Sequence, residues 1–296
     1  MPLLIAILGA SGSGKSALAL ELACALDAQI LSLDSLSIYK GFDISAAKPS
    51  PQELAQIKHY GIDVLEIWQA CHAPIFLQEL QKALAQSQTS VLLLVGGSGF
   101  YLKAILEGLS PQPVMSAAIR AQAASFPKPY EALQNIDPFY AQQLHPKDTY
   151  RIQRALEIFL ATNTPPSLYF KNHPKTPFPF PIKLYALTLP RDILRARIAA
   201  RTKRMLDQGI IAEVQNLAHQ YGNTHQPFKA IGPKECLAYL AGQYNMIQLQ
   251  EAITTHTHQL AKRQTTFNKT QFKDITHLEP RALYRAILDY VRVQRP

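Results

Sequence analysis

The segment Gly9–Ser16 has the residue types and spacing of a loop that binds phosphate. It consists of Gly9, Ala10, Ser11, Gly12, Ser13, Gly14, Lys15 and Ser16, and it fits the pattern G-x-x-x-x-G-K-[ST]. The glycines let the backbone curl so that successive N–H groups point at one anion, and a helix that starts here adds partial positive charge. Lys15 would contribute a full charge to the terminal phosphate, and the Ser16 hydroxyl would be a ligand of Mg²⁺. The segment therefore predicts a diphosphate site.

A carboxylate follows the second apolar run of the chain. Asp34 comes directly after Gln29–Leu33, which has the composition of a buried strand. Ligands of open parallel sheets bind at the carboxyl ends of the strands, so Asp34 should face the glycine-rich loop. A carboxylate in that position can accept a proton from an attacking nucleophile. The alternative is that Asp34 only caps the turn that follows it.

A third apolar run, Val91–Val95, leads into glycines instead of an acid. Many P-loop NTPases hold Mg²⁺ with an aspartate at the end of this strand, whereas Gly96 and Gly97 stand here. A hydrolytic ATPase is therefore disfavoured. A small-molecule or nucleoside kinase stays open as an alternative, since some kinases also lack that aspartate.

The elements that must position these residues alternate between strand and helix. An apolar strand is predicted at Leu3–Leu8, just before the loop, and the runs at 29–33 and 91–95 predict two more. Helical spacing follows each strand, and the predicted helices are Lys15–Leu26, Phe76–Ala85 and Phe100–Glu107. This rhythm predicts an α/β fold, with a parallel sheet of the P-loop NTPase type flanked by helices.

The alternation of strands and helices stops at a proline-rich segment that begins at Ser110. We predict a mostly helical insertion domain over 110–181, containing a helix at Arg151–Ala161, between two parts of a catalytic core at 1–109 and 182–296. The second part of the core resumes with a predicted strand and continues with helices. These are a strand at Ile182–Leu189 and helices at Ile193–Leu206, Ile210–Tyr221, Lys234–Leu240, Leu249–Phe267 and Leu283–Val293.

The charge of the chain is divided unevenly between its halves. Residues 1–150 carry 9 Lys+Arg and 12 Asp+Glu, and residues 151–296 carry 21 Lys+Arg and 9 Asp+Glu. A basic second half predicts a polyanionic partner, although a solvated basic surface has the same composition. No run of 18 apolar residues predicts a membrane span, and three widely separated cysteines favour a cytoplasmic protein without disulfides. The histidines form no predicted metal set.

Further motifs occur in a fixed order along nearly the whole chain, and with the glycine-rich loop they resemble the tRNA dimethylallyltransferase family. Six of them are Asp34-Ser35-x-x-x-Tyr39, Ala47-Lys48-Pro49, Val95-Gly96-Gly97-Ser98-Gly99-Phe100-Tyr101, Arg151-x-x-Arg154-Ala155-Leu156-Glu157, Ile231-Gly232-x-Lys234-Glu235 and Ala261-Lys262-Arg263-Gln264. Ser37 stands where the family usually has glutamine, and Ser98 stands where it usually has threonine.

The resemblance implies a prenyl transfer. The loop would hold dimethylallyl diphosphate, Lys15 and Mg²⁺ would stabilise the departing diphosphate, and Ser98 would hydrogen-bond the donor. Asp34 would take the proton from N6 of adenosine 37, beside the anticodon, after that base is extruded from the anticodon loop.

The resemblance also implies a surface for the anticodon loop of tRNA. Its expected residues are Asp34, Ser35, Leu36, Ser37, Ser98, Arg120, Gln153, Arg154, Ala155, Leu156, Glu157, Lys262, Arg263, Gln264, Phe267 and Lys269. Phe267 could stack on a base or pack inward. The family favours a monomer. A protein that binds tRNA without catalysis is the remaining alternative.

Overall fold

A single parallel sheet forms the centre of the protein in the computed structural model, which describes residues 1–294. Its strands are β1 (Leu3–Gly9), β2 (Gln29–Ser32), β3 (His59–Tyr60), β4 (Val91–Gly96), β5 (Ile182–Leu187) and β6 (Thr276–Leu278). They lie in the order β3-β2-β4-β1-β5-β6, and every neighbouring pair is parallel. The predicted α/β class is confirmed. The carboxyl ends of β1, β2 and β4 therefore meet at one edge of the sheet.

Helices occupy most of the remaining chain. They are α1 (Lys15–Leu26), α2 (Asp43–Ala46), α3 (Pro51–Gln56), α4 (Ala73–Gln86), α5 (Gly99–Glu107), α6 (Ala117–Ala124), α7 (Pro129–Ile136), α8 (Pro138–Ala141), α9 (Thr149–Thr162), α10 (Pro166–Asn172), α11 (Arg191–Asp207), α12 (Ile210–Tyr221), α13 (Pro233–Leu240), α14 (Met246–Gln271) and α15 (Pro280–Gln294), with a 3₁₀ turn at Gln226–Lys229. Over residues 1–294, none of them combines the length and apolarity that crossing a bilayer requires.

Helix capping and the shortness of some strands and helices explain where the observed elements differ from the predicted ones. Helix α14 begins at Met246, three residues before the predicted start, because Asn245 caps it. The Asn245 side chain accepts from the N–H of Gln248, and the Gln248 side chain accepts from the N–H of Asn245, both at 2.9 Å. Strand β5 ends at Leu187 instead of Leu189, shortly before Pro190. Strands β3 and β6 and the short helices were not predicted, since a few residues cannot show a period.

The chain divides into two compact units. One consists of Met1–Ile105 with the described residues from Pro179 onward, and the other is Leu106–Phe178. The second unit contains helices α6 to α10 and no strand in its fully described range. Its core joins α6, α7, α8 and α9 through Ala123, Leu133, Ala141, Ile152 and Leu156.

In the core of the larger unit, helices α1 and α15 pack together on one face of the sheet. Ile5 and Ile7 of β1 and Leu93 of β4 are fully buried against Leu22 of α1 and Ile287 of α15. Burying such a side chain stabilises the fold by about 1.5–3 kcal/mol. This packing fixes the edge of the sheet from which the glycine-rich loop and Asp34 project.

Candidate active site

The glycine-rich loop adopts a compact turn at the end of β1. Gly12 and Gly14 have φ values of +82° and +90°, a region that favours glycine. The Ser13 N–H donates to the Ala10 carbonyl at 3.0 Å, and Gly14 is the N-cap of α1. The amino end of α1, with its unpaired N–H groups, therefore opens directly at Lys15.

Two helices support this loop from outside. Ala10 packs against Ile198 of α11 and Ala261 of α14, and all three side chains are buried. The Arg197 guanidinium donates to the Ser13 carbonyl at 2.9 Å. The loop conformation is therefore set by contacts with residues distant in sequence as well as by its glycines.

Asp34 has a fixed orientation. Its Oδ1 accepts from the N–H groups of Leu36 at 2.8 Å and Ser37 at 3.1 Å, which closes a turn after β2. The side chain is half-buried and also lines the pocket that contains Lys15. Asp34 therefore caps its turn and faces the loop at the same time, although the sequence leaves these two arrangements as alternatives.

The pocket at this edge is an open cleft. The charged and hydroxyl side chains of its lining are Ser11, Lys15, Ser16, Ser32, Asp34, Ser37, Lys48 and Arg201. Lys48 is neutralised locally, because its ammonium contacts the Tyr39 carbonyl at 2.8 Å, Asp43 at 2.7 Å and Asp63 at 2.5 Å. Lys15 and Arg201 are therefore the cations available to an anion in the cleft.

The electrostatics of the two cations favour an anionic ligand. Burial lowers the pKa of Lys15 to about 8, Asp34 partly offsets this fall, and Arg201 adds to it. Burial also lowers the pKa of Arg201. Burial disfavours the charged forms of Lys15 and Arg201 when no ligand is bound, so an anion between them would stabilise both charges.

A second pocket adjoins the polar cleft. We call it the apolar pocket after the aliphatic side chains that form one of its walls, although polar side chains form the rest of its lining. It shares Ser11, Asp34, Ala46 and Arg201 with the cleft. Its other walls come mainly from α11, α14 and the loop before α13, and they include Ile198, Met205, Ile231, Ile253 and Leu260. Asp34 thus lies at the border between the cleft that contains Lys15 and a pocket that has an aliphatic wall.

A carboxylate on α12 holds the opposite wall of the cleft. Glu213 accepts from the N–H groups of Asp43, Ile44 and Ser45 at 2.8, 2.7 and 2.9 Å, so it caps α2. Helix α2 leads directly into Ala47, which lines the cleft. Glu213 was not predicted to have this role, because no local pattern links it to residues about 170 positions earlier.

The chain matches a known protein family over most of its length. A family model described as IPP transferase matches residues 37–271. The chain belongs to the IPP transferase family. Membership makes it a prenyl-transferring enzyme and confirms the resemblance found in the sequence.

Relatives of this IPP transferase cover nearly its whole length. A tRNA dimethylallyltransferase of Helicobacter pylori is 52% identical over 276 residues, 92% of this chain and 89% of that protein. The crystal structure of a tRNA delta(2)-isopentenylpyrophosphate transferase from Staphylococcus epidermidis is 29% identical with a TM-score of 0.70, covering 99% of this chain and 98% of that one. A eukaryotic dimethylallyltransferase acting on tRNA is 25% identical with a TM-score of 0.86, covering 100% and 81%.

The remaining candidate residues of the larger unit differ in how far they are buried in this IPP transferase. Ser98 is half-buried, immediately before α5, and it is not among the residues that line the two pockets. Phe267 packs inward against Gly99 and stands edge-on to Phe272, with 6.3 Å between ring centroids. Exposed cations remain on the outer face of α14, namely Lys262, Arg263 and Lys269.

The candidates of the helical unit divide by exposure. Arg120 is exposed on α6, and Gln153 and Arg154 are partly exposed on α9. Ala155 and Leu156 belong to the core of the unit. They lie on the apolar face of an amphipathic helix, so their side chains pack inward and are not presented to an RNA. Glu157, from the same motif, is buried as well and forms an ion pair with Arg154.

The oxygen donors beside the loop suit a magnesium ion bound together with a diphosphate. Over residues 1–294, no three His, Cys, Asp or Glu side chains gather into a metal site. Magnesium is usually held by one or two protein oxygens, by water and by phosphate oxygens. The exposed Ser16 hydroxyl lines the cleft, with the Asp34 carboxylate in the same lining. These residues fit Mg²⁺ as a partner of the bound diphosphate.

Proposed function

We propose that this protein transfers the dimethylallyl group of dimethylallyl diphosphate to N6 of adenosine 37 in tRNA, yielding N6-(dimethylallyl)adenosine and diphosphate. The observation that carries the proposal is the position of Asp34, between the cleft that contains Lys15 and the adjoining apolar pocket. Cationic side chains on one side of a carboxylate and an aliphatic wall on the other match an allylic diphosphate beside a nucleophile.

The donor would bind with its diphosphate in the polar cleft. The loop N–H groups, the amino end of α1, Lys15 and Arg201 would surround the oxygens on which negative charge grows as the bond from C1 to oxygen breaks. Ser16 would hold Mg²⁺, which when bound neutralises part of the charge on the diphosphate. The five-carbon group would occupy the apolar pocket lined by Ile198, Ile253 and Leu260.

Asp34 would act as the base. Its Oδ1 is occupied by two backbone N–H groups, which leaves Oδ2 to receive the proton. The lone pair of N6 forms the new bond to C1, the C1–oxygen bond breaks, the N6 proton passes to Asp34, and diphosphate leaves. Holding the amine between donor and carboxylate reduces the entropic barrier, and the base removes the charge that forms on nitrogen.

The tRNA would bind on the basic half of the chain and insert its adenosine into the cleft. Extrusion of the base from the anticodon loop is required before N6 can reach Asp34. The turn Asp34–Ser37 would contact the base, while Lys262, Arg263 and Lys269 would contact phosphates. Arg120, Gln153 and Arg154 of the helical unit would add contacts. We propose that the enzyme works as a monomer in the cytoplasm.

Nucleoside analysis tests this function directly. Purified protein is incubated with tRNA, dimethylallyl diphosphate and Mg²⁺, and the digested tRNA is examined by mass spectrometry. We expect N6-(dimethylallyl)adenosine only when donor and tRNA are both present, and its rate of formation should fall sharply with Asp34→Asn. Transfer of the γ-phosphate of radiolabelled ATP without any prenyl product would instead support a kinase. Binding of tRNA with no product would support a non-catalytic RNA-binding protein.

A further inference from the structure

Gln264 joins the glycine-rich loop to the loop that follows β4. Its Oε1 accepts from the Ser11 N–H at 2.8 Å, although the two residues are 253 positions apart. A Cβ at Gly97 would lie 2.5 Å from its Nε2, so the Gln264 amide packs directly against the Gly97 backbone. The side chain is half-buried between the two loops.

Gln264 holds the backbone N–H of Ser11, which lies where the two pockets meet. Ser11 lines the polar cleft and the apolar pocket. The Ser13 N–H is satisfied within the loop by Ala10, whereas the Ser11 N–H is satisfied by a distant helix. A loop whose shape is already fixed loses less conformational freedom when an anion binds, which strengthens binding.

The position of Gln264 on α14 supports a role in organising the site. Ile253, Leu260 and Gln264 lie on one side of this helix, where the first two line the apolar pocket and the third contacts Ser11. Ala261 packs on Ala10 from the same helix. Helix α14 therefore meets the loop through one apolar and one hydrogen-bonded contact, and only the latter fixes the direction of a backbone N–H.

We propose that Gln264 is a positioning residue for the diphosphate donor, holding the Ser11 amide so that the glycine-rich loop is preformed before the donor binds. The identity of the donor rests on the proposed function, but the hydrogen bond itself does not. Gln264 differs in this from Lys262 and Arg263, whose exposed cations suit RNA phosphates.

The test compares Gln264→Met, which keeps the length but removes the acceptor, with Gln259→Met on the exposed surface of the same helix. Hydrogen exchange of the peptide containing residues 9–14 reports the Ser11 amide without any substrate. We expect Gln264→Met to lose protection there. The Kd of inorganic diphosphate with Mg²⁺ and the KM of dimethylallyl diphosphate should rise roughly 5- to 20-fold, with kcat at saturating donor little changed. Gln259→Met should match wild type in each measurement.

Two more variants separate the loss of the hydrogen bond from a loss of folding. Gln264→Glu retains an acceptor of the same length and should restore protection of the Ser11 amide. If Gln264→Met fails to unfold cooperatively, Gln264→Asn replaces it, because its amide is one methylene too short to reach Ser11. Unchanged loop protection and unchanged diphosphate affinity would overturn the proposal, as would a rise confined to the KM for tRNA. A wild-type protein that makes no prenylated tRNA would refute the proposed function but leave the exchange result valid.

Discussion

Lys15 and Asp34 line the same cleft, and the carboxylate of Asp34 opposes the fall in the pKa of Lys15 that burial causes. One residue follows β1 and the other follows β2, so the parallel sheet brings their strands to the same edge. The cation that we propose for the leaving group and the acceptor that we propose for the amine proton thus lie at one edge of the same sheet. Substitution of each residue should separate the two functions.

Asp34→Asn should abolish most catalysis while leaving the donor site intact. Asparagine keeps an Oδ1 acceptor for the Leu36 and Ser37 amides but cannot take the N6 proton, so we expect single-turnover kcat to fall about 10²- to 10⁴-fold. The Kd of dimethylallyl diphosphate should stay close to the wild-type value. Asp34→Ala should lose the turn as well and destabilise the fold by about 1–2 kcal/mol. Near-normal turnover in Asp34→Asn would remove this residue from the role of base.

Donor affinity should fall as the pH rises through about 8. The pKa of Lys15 is lowered to about 8 by burial, so its ammonium is lost above that pH and the diphosphate loses a cation. Because one proton is lost, the Kd should rise by up to roughly tenfold per pH unit.

The stability of the protein should change with pH for the same reason. Between about pH 8 and 10.5 the unfolded chain binds more protons at Lys15 than the folded protein does, so the Lys15 contribution to the free energy of unfolding rises with pH over this range.

Calorimetric titration with dimethylallyl diphosphate at several pH values measures the pH dependence of donor affinity. Lys15→Met, which cannot titrate, should bind the donor weakly and without the change near pH 8. An affinity for wild type that is constant from pH 7 to about 9.5 would contradict the assignment of this titration to Lys15.

Glu213→Ala should loosen one wall of the cleft. Three N–H groups at the start of α2 lose their acceptor, so we expect the free energy of unfolding to drop by about 1–3 kcal/mol. The KM for the donor should rise, because α2 leads into Ala47 and Lys48 of the lining. Thermal unfolding and donor titration check both effects. Glu251→Ala, an exposed acid on α14, is the matched control and should behave as wild type.

Removing exposed cations from α14 should weaken tRNA binding specifically. For the double variant Lys262→Met with Arg263→Met we expect a higher KM for tRNA, and a slope of log affinity against log salt reduced by roughly 1 for each phosphate that is no longer neutralised. Donor affinity should not change, since neither side chain lines the cleft. Arg281→Met, an exposed cation on α15, provides the control. An unaltered salt slope in the double variant would place the RNA elsewhere.

The amino-acid sequence predicted the longer strands and helices of the fold and the family of the chain. The glycine pattern at 9–16 specifies a conformation that few other residues permit, and alternating apolar runs specify strands and helices through contacts between near neighbours. The order of motifs identified the family, which the match over residues 37–271 confirms. These inferences succeed because the information lies within a few residues of the feature it specifies.

The tertiary structure alone decided which side chains meet. Glu213 caps α2 and Gln264 holds Ser11 across separations of 168 to 253 residues, which no local pattern encodes. Packing also placed Leu156 in the core of the helical unit, although its motif suggested an interaction with RNA. Partners brought together by packing depend on the whole sheet and its crossover helices, so their identity emerges only when the chain is folded.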